Sequence, residues 1–305
     1  MFGVINIYKP RGLTSHDVVE IIRKILKIKQ VGHTGTLDPF AEGVLPICVG
    51  KATRLIDYFD DDKEYLATVK FGTSTDTYDT EGKITKTSDK IISASDIEKN
   101  LVNFRGEISQ LPPMYSAVKV NGKKLYEYAR VGETVQIEPR KVTIYKLELE
   151  SFNEAEQTAK IRVKCSKGTY IRSIANDLGE ELGCYAHLSA LVRTRSGKFN
   201  VQNSKKLPVK ILPKTGEDKF IKYEIFENAK EEILSAIQSP LDALSLPIVE
   251  VEENEHIKIS HGNSIKKDIK NINSGDFLIL FYNNNVDAVG QFDGTEIKVK
   301  KVLLQ

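Results

Sequence analysis

The sequence has little of what staples or metallates a small protein. Its three cysteines, Cys48, Cys165 and Cys184, are odd in number and form no C-x-x-C. With five dispersed histidines they offer no metal-ligand spacing. No metal is therefore expected, and the thiols fit a reducing cytoplasm. His256 and His261 lie near each other but bring no further ligand residues with them. No apolar run approaches the roughly 20 residues of a membrane helix. Lys9-Pro10-Arg11-Gly12 interrupts the short apolar start, so a secretory leader is not expected either. Internal repeats and low-complexity tracts are missing. Net charge is also small: 44 basic residues against 42 acidic leave +2.

What is present is ordinary globular composition, 40% hydrophobic over 305 residues, enough for two domains. The charge is uneven along the chain. Asp57 to Glu64 is acidic, while Lys119 to Lys124 and Arg193 to Lys198 are basic. A nucleic-acid partner needs no extreme net charge if such groups converge in space.

Val4 to Tyr8 reads as a strand ended by the Lys-Pro-Arg-Gly turn. Thr14 and Asp17 have the spacing of a capping box, and Val18, Val19, Ile22, Ile25 and Leu26 recur at helical spacing over residues 15–27. A buried strand is expected at Val44 to Val49, and a helix face at Ala52, Leu55, Ile56 and Phe59. Tyr65, Ala67, Val69 and Phe71 alternate as one face of a strand. A helix is expected at 95–104, an extended segment at Gln110 to Ser116, and strands at Val142 to Phe152 and Lys160 to Cys165. Ser166-Lys-Gly-Thr then turns into a helix striped by Ile171, Ile174, Ala175, Leu178 and Leu182, which Gly183 can end. Beyond about Asn200 the chain becomes Lys-rich, with a helix expected near 222–238. Pro240 and Pro247 bracket a linker, followed by short strands at 248–251, 277–281, 286–291 and 297–303, a small all-β module.

Between the first helix and the second strand lies G-H-T-G-T-L-D-P, Gly32 to Pro39. Two glycines and a proline make it a constrained loop, and Asp-Pro is a favourable way to open a turn. Because regular structure tethers both ends, the loop could also hold a carboxylate, Asp38, in one place. Arg172, at the start of a helix, offers the planar fork that binds a carboxylate. Tyr65 offers a flat face with a polar tip, suited to stacking on a base. Taken singly, Tyr65 also reads as a core aromatic and Arg172 as a surface helix residue.

Five segments occur in a familiar order: K-P-R-G-L-T-S-H-D-V-V, G-H-T-G-T-L-D-P-F-A-E-G-V-L, K-E-Y-L-A-T-V-K-F-G, P-P-M-Y-S-A-V-K-V-N-G-K-K-L-Y-E-Y-A-R and C-S-K-G-T-Y-I-R-S-I. Together they resemble the TruB family of bacterial pseudouridine synthases, which modify uridine 55 in the T loop of tRNA. The resemblance is strong over roughly residues 1–200 and weaker beyond. It implies an α+β fold, with a mixed, largely antiparallel sheet flanked by helices. It also implies a catalytic domain over residues 1–240 and a PUA-like RNA-binding domain over 247–305.

The resemblance further implies roles. Asp38 matches the catalytic aspartate, Tyr65 the tyrosine stacked on the target base and Arg172 the aspartate's partner. His33 matches the histidine that contacts the tRNA where the base is flipped, and Tyr170 and Leu191 match residues lining the uracil pocket. Lys9 and Pro10 match a motif that supports the active-site loop. Relatives commonly have Leu-Arg-Arg where this chain has Leu191-Val192-Arg193, so the resemblance does not carry a phosphate contact over to Val192. The implied enzyme is a cytoplasmic monomer acting on the T stem-loop of tRNA, with neither guide RNA nor membrane. Isomerising uridine breaks N1–C1′ and forms C5–C1′ without redox change or net hydrolysis, so no cofactor is expected. A carboxylate can act in it as nucleophile or base. In the C-terminal module Lys258, Lys266, Lys267, Lys298, Lys300 and Lys301 could reach phosphates. A chain stopped near Leu246 is expected to keep modifying a T-arm hairpin.

Overall fold

The computed structural model describes residues 2–213 and 221–304. The chain divides into two compact units, one of residues 1–38, 44–60 and 197–305, the other of residues 39–43 and 61–196.

In the first unit, the strand Gly3–Lys9 lies between Lys205–Lys206 and the strand Glu42–Val49, which also pairs with Val31–His33. The helix Ser15–Leu26 starts where the sequence predicts. Thr14 Oγ1 accepts from Asp17 N at 3.0 Å, and Asp17 Oδ2 accepts from Thr14 N at 2.8 Å. The helix stops at Lys27, whose φ of 56° is left-handed. Its buried stripe, including Val18, Ile22 and Ile25, packs on Ile5, Ile7, Leu45 and Ile47, and on Ala229 and Ile233 of the short helix Ala229–Ser235. Burying each such side chain contributes about 1.5–3 kcal/mol. Ala52 and Leu55 are buried as anticipated, but on a 3₁₀-helix, Gly50–Tyr58. Their spacing of three residues lines one edge of a helix with three residues per turn. The helix anticipated at 222–238 is shorter, because Tyr223–Ile225 forms a strand with Val209–Ile211.

The C-terminal segment of this unit is a four-stranded sheet in the order Ile248–Glu250, Phe277–Tyr282, Asn285–Phe292, Ile297–Val302. The first pair is parallel and the other two antiparallel. Asn283 and Asn284, both left-handed at φ 47° and 60°, turn the central hairpin. A two-turn helix, Glu253–Ser260, crosses the module; its few apolar residues gave no sequence stripe. One set of inward residues (Leu278, Leu280, Ala288, Ile297) packs on Val249, Val251, Ile259 and Ile265. The other set (Ile279, Val286, Val289, Leu303) packs on Val44, Cys48, Ala52 and Leu55. The module therefore shares a hydrophobic core with residues 44–55.

The second unit is built on a mixed, largely antiparallel sheet flanked by helices. Its order runs from Glu42 and Gly43 through Ala186–Ser196, Lys63–Phe71, Thr158–Cys165 and Arg140–Asn153 to Gly106–Gln110. Only the pairing of Val192 and Arg193 with Glu42 and Gly43 is parallel. Lys63–Phe71 buries Tyr65, Ala67, Val69 and Phe71 alternately, as read from the sequence. Ala186–Ser196 was not legible as a strand, because register shifts after Leu188 and Arg193 break its period of two. Gly43 has φ 106°, and a Cβ there would sit 2.3 Å from the carbonyl oxygen of Arg193. Only glycine lets these strands approach so closely. The helix Ile171–Glu181 buries Ile171, Ile174, Ala175 and Leu178. Among the described residues no helix is long and apolar enough to cross a membrane.

Candidate active site

In the first unit, the loop before Asp38 is held from both sides. His33 pairs in register with Ile47, and Thr34 N donates to Pro46 O at 3.1 Å. At Leu37, the residue before Asp38, the clamp is a single side chain. Ser15 Oγ donates to Leu37 O at 3.1 Å and accepts from Leu37 N at 2.8 Å, with both residues buried. Ser15 opens the capped helix, so the capping box that fixes the helix start also fixes the loop. Lys9 is fully buried, and its Nζ donates to Leu13 O at 2.6 Å and Pro10 O at 3.1 Å. A buried ammonium needs such carbonyls. Here they tie the Lys9-Pro10 turn to the entrance of the same helix.

In the second unit, Tyr65 is mostly buried in its strand, beside Val163 on one neighbouring strand and Arg193 on the other. Leu191 stands opposite Ala67. Tyr170, half-buried, is the residue before the helix Ile171–Glu181. Gln110 grips its backbone twice: Oε1 accepts from Tyr170 N at 2.7 Å and Nε2 donates to Tyr170 O at 3.0 Å.

Arg172 is buried, contrary to its reading as a surface residue. Its Nη1 donates to Thr77 O at 2.9 Å and its Nη2 to Tyr115 O at 2.9 Å, while Asp79 Oδ2 lies 3.5 Å from Nη1. Asp79 is equally buried, and its Oδ1 accepts from Thr77 Oγ1 at 2.6 Å and Glu81 N at 3.0 Å. Sequence reasoning missed both Asp79 and Gln110. The signal for Asp79 was T-D-T-Y-D-T-E-G, Thr75 to Gly82, a run of turn-forming Asp and Thr closed by glycine. A Cβ on Gly82 would sit 2.3 Å from Thr77 Oγ1 and 2.4 Å from Asp76 Oδ1, so the loop closes only around glycine. Tyr78 takes a left-handed φ of 64° to turn Asp79 inward.

The charge runs are partly neutralised. Asp61 pairs with Lys167 at 2.6 Å, Asp62 with Arg195, and Glu64 with Arg162 at 2.9 Å. Burial opposes ionisation of Glu64, but hydrogen bonds from Thr194 and Arg162 prevail and hold its carboxyl below the usual range. Lys119 to Lys124 remains outward as a hairpin turned at Asn121-Gly122, with Lys123 over Tyr128 at 4.4 Å and Arg130 over Tyr126 at 5.2 Å. Burial pushes the Cys48 and Cys165 thiols up to about 12, so neither is a ready nucleophile at neutral pH.

Residues 23–171 match the model of the TruB family pseudouridylate synthase N-terminal domain, and residues 172–211 that of the tRNA pseudouridylate synthase B C-terminal domain. The chain belongs to the TruB family of pseudouridylate synthases. Within that family it is 42% identical to tRNA pseudouridine synthase B of Caldanaerobacter subterraneus subsp. tengcongensis, over 98% of each chain. It is 40% identical to the protein of that name from Oceanobacillus iheyensis, over 99% of this chain and 97% of the other. Among solved structures, one described as "Crystal Structure of a Cbf5-Nop10-Gar1 Complex" contains a chain that superposes with TM-score 0.72 at 28% identity, covering 99% of this chain and 85% of that one.

Proposed function

We propose that this protein converts uridine 55 in the T loop of tRNA to pseudouridine, acting as a single chain without guide RNA. The observation that carries the reading is the end-to-end match to tRNA pseudouridine synthases B, together with the family's motif residues in this sequence. Asp38 is the catalytic carboxylate, and Arg172 is the guanidinium that the resemblance pairs with it. Tyr65 stacks on the target base, Tyr170 and Leu191 line the uracil pocket, and His33 contacts the RNA where the base leaves the stack.

The chemistry needs a carboxylate that does not wander. Extruding a base from a folded loop costs a few kcal/mol, which stacking and phosphate contacts offset. Once N1–C1′ breaks, the uracil turns so that C5 meets C1′. The C5 proton then leaves and N1 gains one, so the product is an isomer of the substrate. Asp38 can serve as the covalent nucleophile or as a base. In either role its position depends on Leu37, which Ser15 holds at both backbone groups. The second unit meets the same requirement at Tyr170 through Gln110 and at Arg172 through Thr77, Tyr115 and Asp79. The outward Lys119–Lys124 hairpin and its stacked tyrosines suit an RNA backbone. Residues 247–305 are proposed to add affinity for the body of the tRNA through Lys258, Lys266, Lys300 and Lys301. Lys267 and Lys298 contribute less, being paired with Glu255 at 2.7 Å and Asp293 at 2.9 Å.

The resemblance to a chain of a Cbf5-Nop10-Gar1 complex favours one second reading, a synthase that works inside an assembly. Purified protein incubated with an unmodified T-arm hairpin, and no other RNA or protein, separates the two. Carbodiimide derivatisation followed by mass mapping is expected to place one pseudouridine at position 55. Activity that appears only with added partners would favour the assembly.

A further inference from the structure

The C-terminal module carries a polar arrangement that the proposed isomerisation does not use. His256, on the helix Glu253–Ser260, places Nδ1 2.7 Å from Oδ2 of Asp287 on the strand Asn285–Phe292. Asp287 is wholly buried, and its other oxygen, Oδ1, has no hydrogen-bond partner among the described residues. The imidazole also stacks on Tyr282, with ring centroids 4.6 Å apart and planes inclined by 30°. These three side chains border a cavity of about 270 Å³, lined also by the apolar Phe2, Leu303 and Leu304 and by Asn283 and Asn285. The His256 side chain is 30% exposed, so a ligand in the cavity can reach it.

A hydrogen bond from helix to sheet could be made by neutral groups, without burying a carboxylate that has an oxygen to spare. Such an oxygen costs free energy and calls for an explanation. Asp287 fixes the imidazole with Nδ1–H toward itself, so the neutral ring presents Nε2 as an acceptor. Burial raises the Asp287 carboxyl above the usual carboxylate range, and the bond from His256 offsets only part of this. The cavity thus offers a flat stacked surface, an apolar lining and acceptors that require N–H donors. No lysine or arginine lines it, which excludes a grip on phosphate. A planar heterocycle with an exocyclic amino group meets each of these conditions.

We propose that this cavity takes one unpaired adenine, cytosine or guanine of the tRNA, outside the T arm, with the base beside His256 and Tyr282 and its amino group donating to Nε2. Uracil fits worst, because its one N–H is flanked by two carbonyls that would face acceptors. The proposal rests on tRNA being the substrate.

Two measurements test it. In the full-length protein, labelled with ¹⁵N-histidine, AMP, CMP, GMP, UMP and ribose 5-phosphate are each titrated to millimolar concentration. The His256 ring signals are expected to move with AMP, CMP or GMP and to stay still with UMP and ribose 5-phosphate. No movement with any nucleotide, or equal movement with ribose 5-phosphate, overturns the site. This readout does not depend on turnover, so it stands even if the isomerase reading fails. Second, His256→Gln keeps a hydrogen bond to Asp287 but loses the ring, while Leu304→Trp fills the cavity and leaves the pair alone. Both are expected to raise KM for full-length tRNA by roughly five-fold or more, the low end for losing one stacked base. Neither should change kcat, or KM for a T-arm hairpin. An unchanged KM for full-length tRNA in both variants, or an equal rise on the hairpin, contradicts the proposal.

Discussion

At the scale of single residues, the group proposed to react and the groups that hold it are different side chains. Asp38→Asn keeps size and some hydrogen bonding while removing the charge. It is expected to abolish pseudouridine formation yet leave tRNA affinity within about ten-fold, or ~1.4 kcal/mol. Comparing filter-binding affinity with single-turnover rate checks this, and near-normal turnover would sink the assignment. Arg172 and Asp79 should behave differently, as a buried pair among carbonyls. Asp79→Asn replaces the carboxylate beside the guanidinium with an amide, and losing such a charged contact costs about 1.5–3 kcal/mol. Denaturant unfolding should show that loss directly. Arg172→Lys keeps the charge but cannot donate to Thr77 O and Tyr115 O at once. Single-turnover rates should fall by at least roughly ten-fold with little change in binding. An unaltered chemical step would show that charge alone suffices.

At the scale of elements, capped helices and alternating strands were legible, and broken patterns were not. The capping box at Thr14 and the alternation from Tyr65 to Phe71 each rest on one local rule, and both appear as read. The strand Ala186–Ser196 escaped because its bulges reverse the inward face part-way along. The 3₁₀ turn at Gly50–Tyr58 showed the right buried residues on the wrong helix. For the site, motif resemblance named Asp38, Tyr65, Tyr170, Arg172 and Leu191. It could not supply Ser15 or Gln110, which hold backbone groups 22 and 60 residues away, or Asp79, which lies beside the distant Arg172 guanidinium. Ser15 and Gly43 predict different kinds of defect. Ser15→Ala removes both bonds to Leu37, and kcat is expected to fall several-fold with KM for tRNA nearly unchanged, since the clamp acts on position rather than affinity. Ser15→Thr, which keeps the hydroxyl, should restore part of that loss. Gly43→Ala, by contrast, forces a Cβ to 2.3 Å from Arg193 O and should cost at least about 2 kcal/mol of stability. Steady-state kinetics and thermal unfolding would tell the two kinds of defect apart.

At the scale of the whole molecule, the C-terminal module is not a detachable bead. Ile279, Val286, Val289 and Leu303 fill one core with Val44, Cys48, Ala52 and Leu55. Proline and charge patterns along the linker carry no trace of this sharing, so a chain stopped near Leu246 reads from sequence as self-sufficient. Removing residues 247–305 bares four side chains of the first unit, each losing on the order of 1–3 kcal/mol of burial. Such a chain is expected to unfold at lower temperature or aggregate. An unchanged midpoint in calorimetry would show that the shared core contributes nothing. Substituting Lys258, Lys266 and Lys300 together in the full chain is therefore the cleaner probe of RNA contact. Binding should weaken uniformly across tRNAs, with a shallower salt slope. Isomerisation of one T-loop uridine by this single chain is tested most directly by single-turnover pseudouridine mapping on unmodified full-length tRNA. One derivatised nucleotide at position 55 with the wild-type protein, and none with Asp38→Asn, is the predicted result. Modification elsewhere, or equal modification by both proteins, would contradict it.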